Sequence, residues 1–92
     1  MVYVDILRSC LPNPSWKYTK SCHLFADSEE ELHAFAKRLN LKRGWYQRVS
    51  RLKHYDLTES KRKRAIKLGA VEADREIVVA HMAPRLILDF IP

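Results

Sequence analysis

Residues 54–70, HYDLTESKRKRAIKLGA, decide how this chain is read. A polar cluster, His54, Tyr55 and Asp56, leads into a helix signal. Thr58 suits the N-cap, because its hydroxyl oxygen can accept from a first-turn amide, and Glu59 follows where the helix dipole favours negative charge. Gly69 is placed as the residue that stops the helix. The body, SKRKRAIKL, carries Lys61, Arg62, Lys63, Arg64 and Lys67. Charge wraps most of its surface, and Ala65, Ile66 and Leu68 remain for burial. Residues three and four apart share a helix face. Arg62 therefore lies in line with Ala65, Ile66 and Gly69 on the edge of the buried stripe, where it needs an anionic partner, while the other cations can reach water.

Downstream, AVEA at 70–73 reads as a short strand. Asp74 can cap a last helix through Met82, although Ile77, Val78 and Val79 would equally suit a strand, and Pro84 ends that element. Upstream, residues 45–49 read as a short aromatic third strand and 50–53 as a basic connector. Ser28 and Glu31 match a Ser-x-x-Glu capping box. It opens a helix over about 29–39, whose Leu32, Phe35, Ala36 and Leu39 repeat at i, i+3, i+4, i+7 and form one buried face, with His33 beside it. Asn40 or Gly44 can end that helix. Residues 18–26 read as the second strand. Residues 2–7, VYVDIL, read as a buried central strand, with Asp5 either paired or at its exposed carboxyl end. Between these strands, RSCLPNPSWK is a loop, in which Trp16 either caps the core or offers a stacking face.

Two helices, each bracketed by strand-like runs, give the order of two β-α-β steps. The expected fold is α/β: a single small domain over 1–92, with a short mostly parallel sheet and two to three helices, and a variable C-terminal segment at 73–92. An apolar content of 47% over 92 residues supports one core. Lys plus Arg is 17 and Asp plus Glu is 11, a net charge of +6, and the isoelectric point is near 9.6. This balance favours polyanionic partners: nucleic acid, nucleotides or an acidic protein surface.

Several chemistries are disfavoured. Gly44 and Gly69 are the only glycines, which argues against a P-loop or a dinucleotide fingerprint. Cys10, Cys22 and His23 lack a fourth ligand at a usual zinc interval. No nucleophile motif surrounds a Ser or a Cys. The start, MVYVDILRSCLP, has no basic region before its short apolar run, so reduced thiols and a cytoplasmic location without a membrane span are expected.

YVD at 3–5, HLFADS at 23–28, ELHAFA at 31–36, WYQ at 45–47, HYDLT at 54–58 and AIKLGAVE at 65–72 together resemble the domain-of-unknown-function family 4031 of short bacterial and phage proteins. The resemblance covers roughly residues 2–73. Asn40 departs from the glycine usual there, a mild change, since Asn also adopts the left-handed conformation. The resemblance implies a prokaryotic or phage origin and a cytoplasmic location. It implies no activity.

Two candidate surfaces follow from the residues. In a parallel α/β sheet, ligands bind beyond the carboxyl ends of the strands, beside helix N-termini. Asp27 and Asp56 each lie between a strand and a helix start, and Asp5 joins them if its strand ends there. Asp5, Asp27, His54 and Asp56 are the candidate catalytic set. Asp27, Asp56 and His23 are the candidate ligands of Mg²⁺ or Mn²⁺, for metal-assisted phosphodiester hydrolysis. The same aspartates can be simple helix caps and the histidines satisfied structural groups. The second surface is basic: Lys61, Arg62, Lys63, Arg43, Arg48 and Trp45 are the candidate phosphate or nucleic-acid contacts, with cations neutralising phosphates and the ring stacking a base. These cations can equally form a solvated face. The favoured reading is a small basic cytoplasmic domain that binds a phosphate-bearing partner, nucleic acid foremost. The alternative is a non-enzymatic phage-type protein that binds and modulates a host protein through the apolar tail LILDFIP.

Overall fold

A computed structural model describes residues 1–83. Its elements are β1 (Val2–Val4), β2 (Arg8–Ser9), β3 (Lys20–Ala26), α1 (Glu29–Arg38), a 3-10 turn (Arg43–Trp45), β4 (Tyr55–Leu57), α2 (Glu59–Lys67), β5 (Val71–Glu72) and α3 (Arg75–His81). The tail LILDFIP lies outside the described residues.

The sheet is mixed, which corrects the expectation of a mostly parallel one. β3 is its hub and pairs antiparallel with β1, β2 and β4; among the described residues only β1 and β5 run parallel. The cause is visible in the connections. β1 and β3 are joined by a loop with no crossover helix, so the second strand returns antiparallel. The α1 connection then brings β4 to β3, again antiparallel. Only α2 delivers a strand, β5, parallel to β1.

Two further expectations shift. Residues 45–49 form no strand: Trp45 closes the 3-10 turn, and Gln47 makes an isolated bridge to His54. In the stretch 54–56, read as a polar lead-in, Tyr55 begins a strand, β4, and is one of the largest fully buried side chains. The choice left open for 74–82 is resolved as helix, with Asp74 accepting from the Ile77 amide.

Strand alternation sorts the side chains onto two faces. Val4, Cys22, Leu24, Tyr55 and Leu57 form one core with Leu32, Phe35, Ala36 and Leu39 of the α1 segment and Ala65 of α2. Phe25 points the other way and packs with Leu52 and Val78, joined by Tyr3, Ile77 and Met82. The helices start and stop where the sequence directs. Ser28 accepts from the Glu31 amide and Thr58 from the Lys61 amide. Asn40, at φ 60°, and Gly69, at φ 108°, supply the left-handed residues that end α1 and α2. No helix among the described residues is long and apolar enough to cross a membrane.

Candidate functional site

The register of β3 and β4 sets His23 directly across from Asp56. Directly opposed residues share a sheet face, and so do residues two apart on one strand. His54, two before Asp56, therefore falls on the side of His23, and the two rings meet at 4.3 Å. Asp5 follows β1 on the other flank of β3, where its amide donates to the His23 carbonyl at 3.2 Å. Asp5, His23, His54 and Asp56 are thus gathered by strand pairing onto the face opposite the α1–α2 core.

Asp5 is buried, at 2% exposure. One of its carboxylate oxygens accepts from the His23 backbone amide at 2.6 Å, and the other lies 2.6 Å from His23 Nδ1. Its carbonyl oxygen accepts from Arg62 Nε at 2.9 Å. Burial pushes the Asp5 carboxyl up, but the His23 contacts outweigh it and hold it below the ordinary carboxylate range. With Nδ1 held by Asp5, His23 Nε2 is the ring nitrogen without a hydrogen bond among the described residues. His54 is arranged alike: Nδ1 faces the Leu52 carbonyl, and Nε2 lies 3.4 Å from Asp56 Oδ1. Burial pushes the His54 imidazole down, but Asp56 and the Leu52 carbonyl outweigh it and leave it raised. The hydrogen bond with His54 in turn lowers Asp56, against its own partial burial.

His23, His54 and Asp56 each offer one metal-ligating atom, and these atoms lie within 4.8 Å of one another. Two imidazoles and a carboxylate, each imidazole held from behind by a second acceptor, are parts suited to holding a divalent ion. A groove of about 720 Å³ runs alongside. Trp16, Tyr18 and Trp45 line it with Thr58, Ser60 and Lys61 at the start of α2, and Asp56 contributes to the same wall.

The remaining candidates are dispersed. Asp27 follows β3, four positions beyond His23, roughly 13 Å away at strand rise. It binds His81 Nε2 at 2.7 Å and the Met1 ammonium at 2.9 Å. The expected carboxylate pair of Asp27 and Asp56 on one edge therefore does not form, because β3 and β4 run antiparallel rather than parallel. Arg62 finds the anionic partner its position demands in Glu72, at 3.1 Å. Lys61 Nζ donates to the Leu39 carbonyl at 2.6 Å, closing the end of α1. Lys63, Arg43 and Arg48 are exposed, and Trp45 is half exposed with Lys42 over its ring. Tyr18 and Ser60 were not singled out by sequence. The signal for the histidine cluster was His-x-Asp at 54–56, a period of two that becomes informative once 55–57 is recognised as a strand.

No curated protein and no solved structure matches this chain. The family model described as "Protein of unknown function (DUF4031)" matches residues 2–85 and so runs past the segments that end at Glu72 and through α3. Most of the chain is covered by that match, and the protein belongs to this family.

Proposed function

We propose that this protein binds a phosphate-bearing partner, single-stranded nucleic acid foremost, in the groove beside α2, and carries out metal-assisted phosphodiester chemistry at His23, His54 and Asp56. The observation that carries the reading is the double placement of Asp56, which belongs both to the histidine cluster and to the wall of the aromatic groove. A ligand lying in the groove would meet the cluster at Asp56.

The parts have separable roles. Trp16, Tyr18 and Trp45 offer faces on which bases stack, a sequence-tolerant contact. Lys63, Arg43 and Arg48 neutralise phosphates from exposed positions, and the net charge of +6 supplies the long-range attraction. Lys61 flanks the groove while its ammonium holds α1. A divalent ion held by His23, His54 and Asp56 would supply an acidified water as the nucleophile for phosphodiester hydrolysis, the P–O bond to the leaving ester oxygen breaking as the water oxygen adds and the water's proton passing through solvent to that leaving oxygen.

The test is fluorescence anisotropy with a labelled single-stranded oligonucleotide at two salt concentrations, followed by a cleavage assay with divalent ions. Binding should weaken with salt and weaken further in Trp45→Ala, and cleavage should vanish in Asp56→Ala. Absence of binding at low salt would overturn the reading.

A further inference from the structure

We infer that His23 Nε2, His54 Nε2 and the Asp56 carboxylate form a three-ligand site for one borderline divalent ion of the Zn²⁺ class (Zn²⁺, Co²⁺, Ni²⁺ or Fe²⁺), and that Asp5 is the residue that positions His23 for it. This deepens the proposed function, since it rests on the same cluster being a metal centre.

Three observations carry it. The first is donor chemistry. Mg²⁺ takes oxygen ligands and keeps its waters, whereas imidazole suits Zn²⁺, Ni²⁺ and iron. Two of the three donors here are imidazoles. The second is spacing. Ligands about 2.0–2.1 Å from a tetrahedral ion sit roughly 3.3–3.4 Å apart. His54 Nε2 and Asp56 Oδ1 are already 3.4 Å apart. The ligating atoms of all three residues lie within 4.8 Å of one another. The third is the outer shell. A ligating histidine characteristically donates its other ring nitrogen to a carboxylate or a backbone carbonyl, which fixes ring and tautomer. His23 has Asp5 in that place and His54 has the Leu52 carbonyl. Neither acceptor is needed to fill a core, and buried Asp5 is an expensive group to place behind a partly exposed histidine for packing alone.

Three protein ligands leave a coordination position open, the arrangement of a catalytic rather than a structural zinc site. The Asp56 side chain is 37% exposed and that of His23 34%, so the position is reachable from solvent. His23 and Asp56 are directly opposed on two paired strands, and His54 immediately precedes the second of them.

The test uses the untagged full chain, stripped with chelator, and metal alone. Calorimetry should show one Zn²⁺ bound per chain, with Mg²⁺ at least 100-fold weaker. Co²⁺ should give the visible absorption of a tetrahedral site. His23→Gln, at a partly exposed position, should abolish both signals while the far-ultraviolet circular dichroism stays native. Asp5→Asn should keep the stoichiometry, lower Zn²⁺ affinity by about 10–100-fold, and move the hyperfine-shifted His23 ring N–H resonance of the Co²⁺ form, which a merely structural role would leave in place. Asp27→Asn should change none of these. Zn²⁺ binding that survives His23→Gln would overturn the site. Binding of Mg²⁺ or Mn²⁺ with no Zn²⁺ or Co²⁺ response would overturn the ion class and leave the phosphodiester reading standing. Zn²⁺ binding as described, with no oligonucleotide bound, would support the site and overturn the nucleic-acid reading.

Discussion

The ring of His23 meets the ring of His54 edge to face, with centroids 4.3 Å apart and planes at 74°. Nothing local brings them together. His23 sits in the middle of β3, His54 immediately precedes β4, and only the antiparallel register joining His23 to Asp56 closes the distance. Each imidazole turns one nitrogen toward a fixed acceptor and leaves the other for the shared space beside Asp56. The floor of this arrangement reaches α2, because Arg62 Nε holds the carbonyl of Asp5.

Arg62→Ala should therefore act on stability more than on ligand contact. The side chain is 18% exposed and its two contacts differ in worth. The Asp5 carbonyl it satisfies belongs to a buried residue, and leaving such an acceptor unpaired costs about 1–3 kcal/mol. The ion pair with Glu72 is open on its far side, with Glu72 66% exposed, and pairs of that kind contribute about 0–1 kcal/mol. Urea denaturation should give Arg62→Ala a loss of about 1–3 kcal/mol and Glu72→Ala a loss of under about 1 kcal/mol. Equal losses in the two variants would show that the ion pair, not the carbonyl contact, is what Arg62 contributes.

The two helix stops separate by residue type. Gly69 holds φ at 108°, and a Cβ there would touch nothing within 4 Å. Gly69→Ala is thus a pure backbone test, with an expected cost of about 1–2 kcal/mol from the left-handed conformation alone. Asn40 already holds φ 60° with a side chain, so Asn40→Gly should be neutral within about 0.5 kcal/mol, relief of strain being offset by the freer unfolded chain. Thermal melts of the two variants check the contrast. A stabilised Gly69→Ala would be incompatible with that conformation.

The thiols should differ in reactivity. Burial, reinforced by the nearby Asp5 carboxylate, pushes the Cys22 thiol up to about 12. The thiolate is the reactive form, so Cys22 should resist alkylation at neutral pH while the chain is folded. Cys10 is only half buried, with its sulfur against the Tyr18 carbonyl. Iodoacetamide followed by peptide mass spectrometry should find Cys10 modified first and Cys22 modified only on unfolding. Equal labelling in the folded state would require β3 to open readily.

Local signals in this sequence were legible and pairings were not. The capping box at Ser28, the Thr58 cap, the α1 stripe and the Asn40 and Gly69 stops each depend on residues within a turn of one another, and each is found where the sequence directs. Strand direction is different. The α1 and α2 connections look alike in sequence, yet one returns β4 antiparallel to β3 and the other leads to β5 parallel with β1. That single ambiguity moved Asp27 away from Asp56 and brought His54 toward His23. Asp5, His23, His54 and Asp56 were all recognisable as candidate site residues. Which of them meet is a property of the register, and no stretch shorter than the sheet encodes it.

The contact that replaced the expected Asp27 role has its own pH signature. His81, at the end of α3, packs on Tyr3 and Phe25 with centroids at 4.9 and 5.1 Å and binds Asp27 Oδ1 at 2.7 Å. The groups facing this pair are the Met1 ammonium, Glu31 and the Tyr3 hydroxyl. The His81 and Met1 contacts hold the Asp27 carboxyl down at about 2. Burial pushes the His81 imidazole down, but Asp27 and the Ile77 carbonyl outweigh it and leave it raised. The depressed carboxylate contributes stability that is full above its unfolded pKa of about 3.9 and is lost as the pH falls toward 2. The raised imidazole contributes stability that is full below its unfolded pKa of about 6.5 and is lost as the pH rises through its folded value. Docking of α3 should therefore be firmest between about pH 4 and pH 6.5 and weaken on both sides. Amide hydrogen exchange of residues 77–81, corrected for intrinsic rates and read at several pH values across that span, should show maximal protection inside it. Asp27→Asn should remove most of the pH dependence on both limbs. Protection that varied identically in wild type and Asp27→Asn would place the titrating group elsewhere.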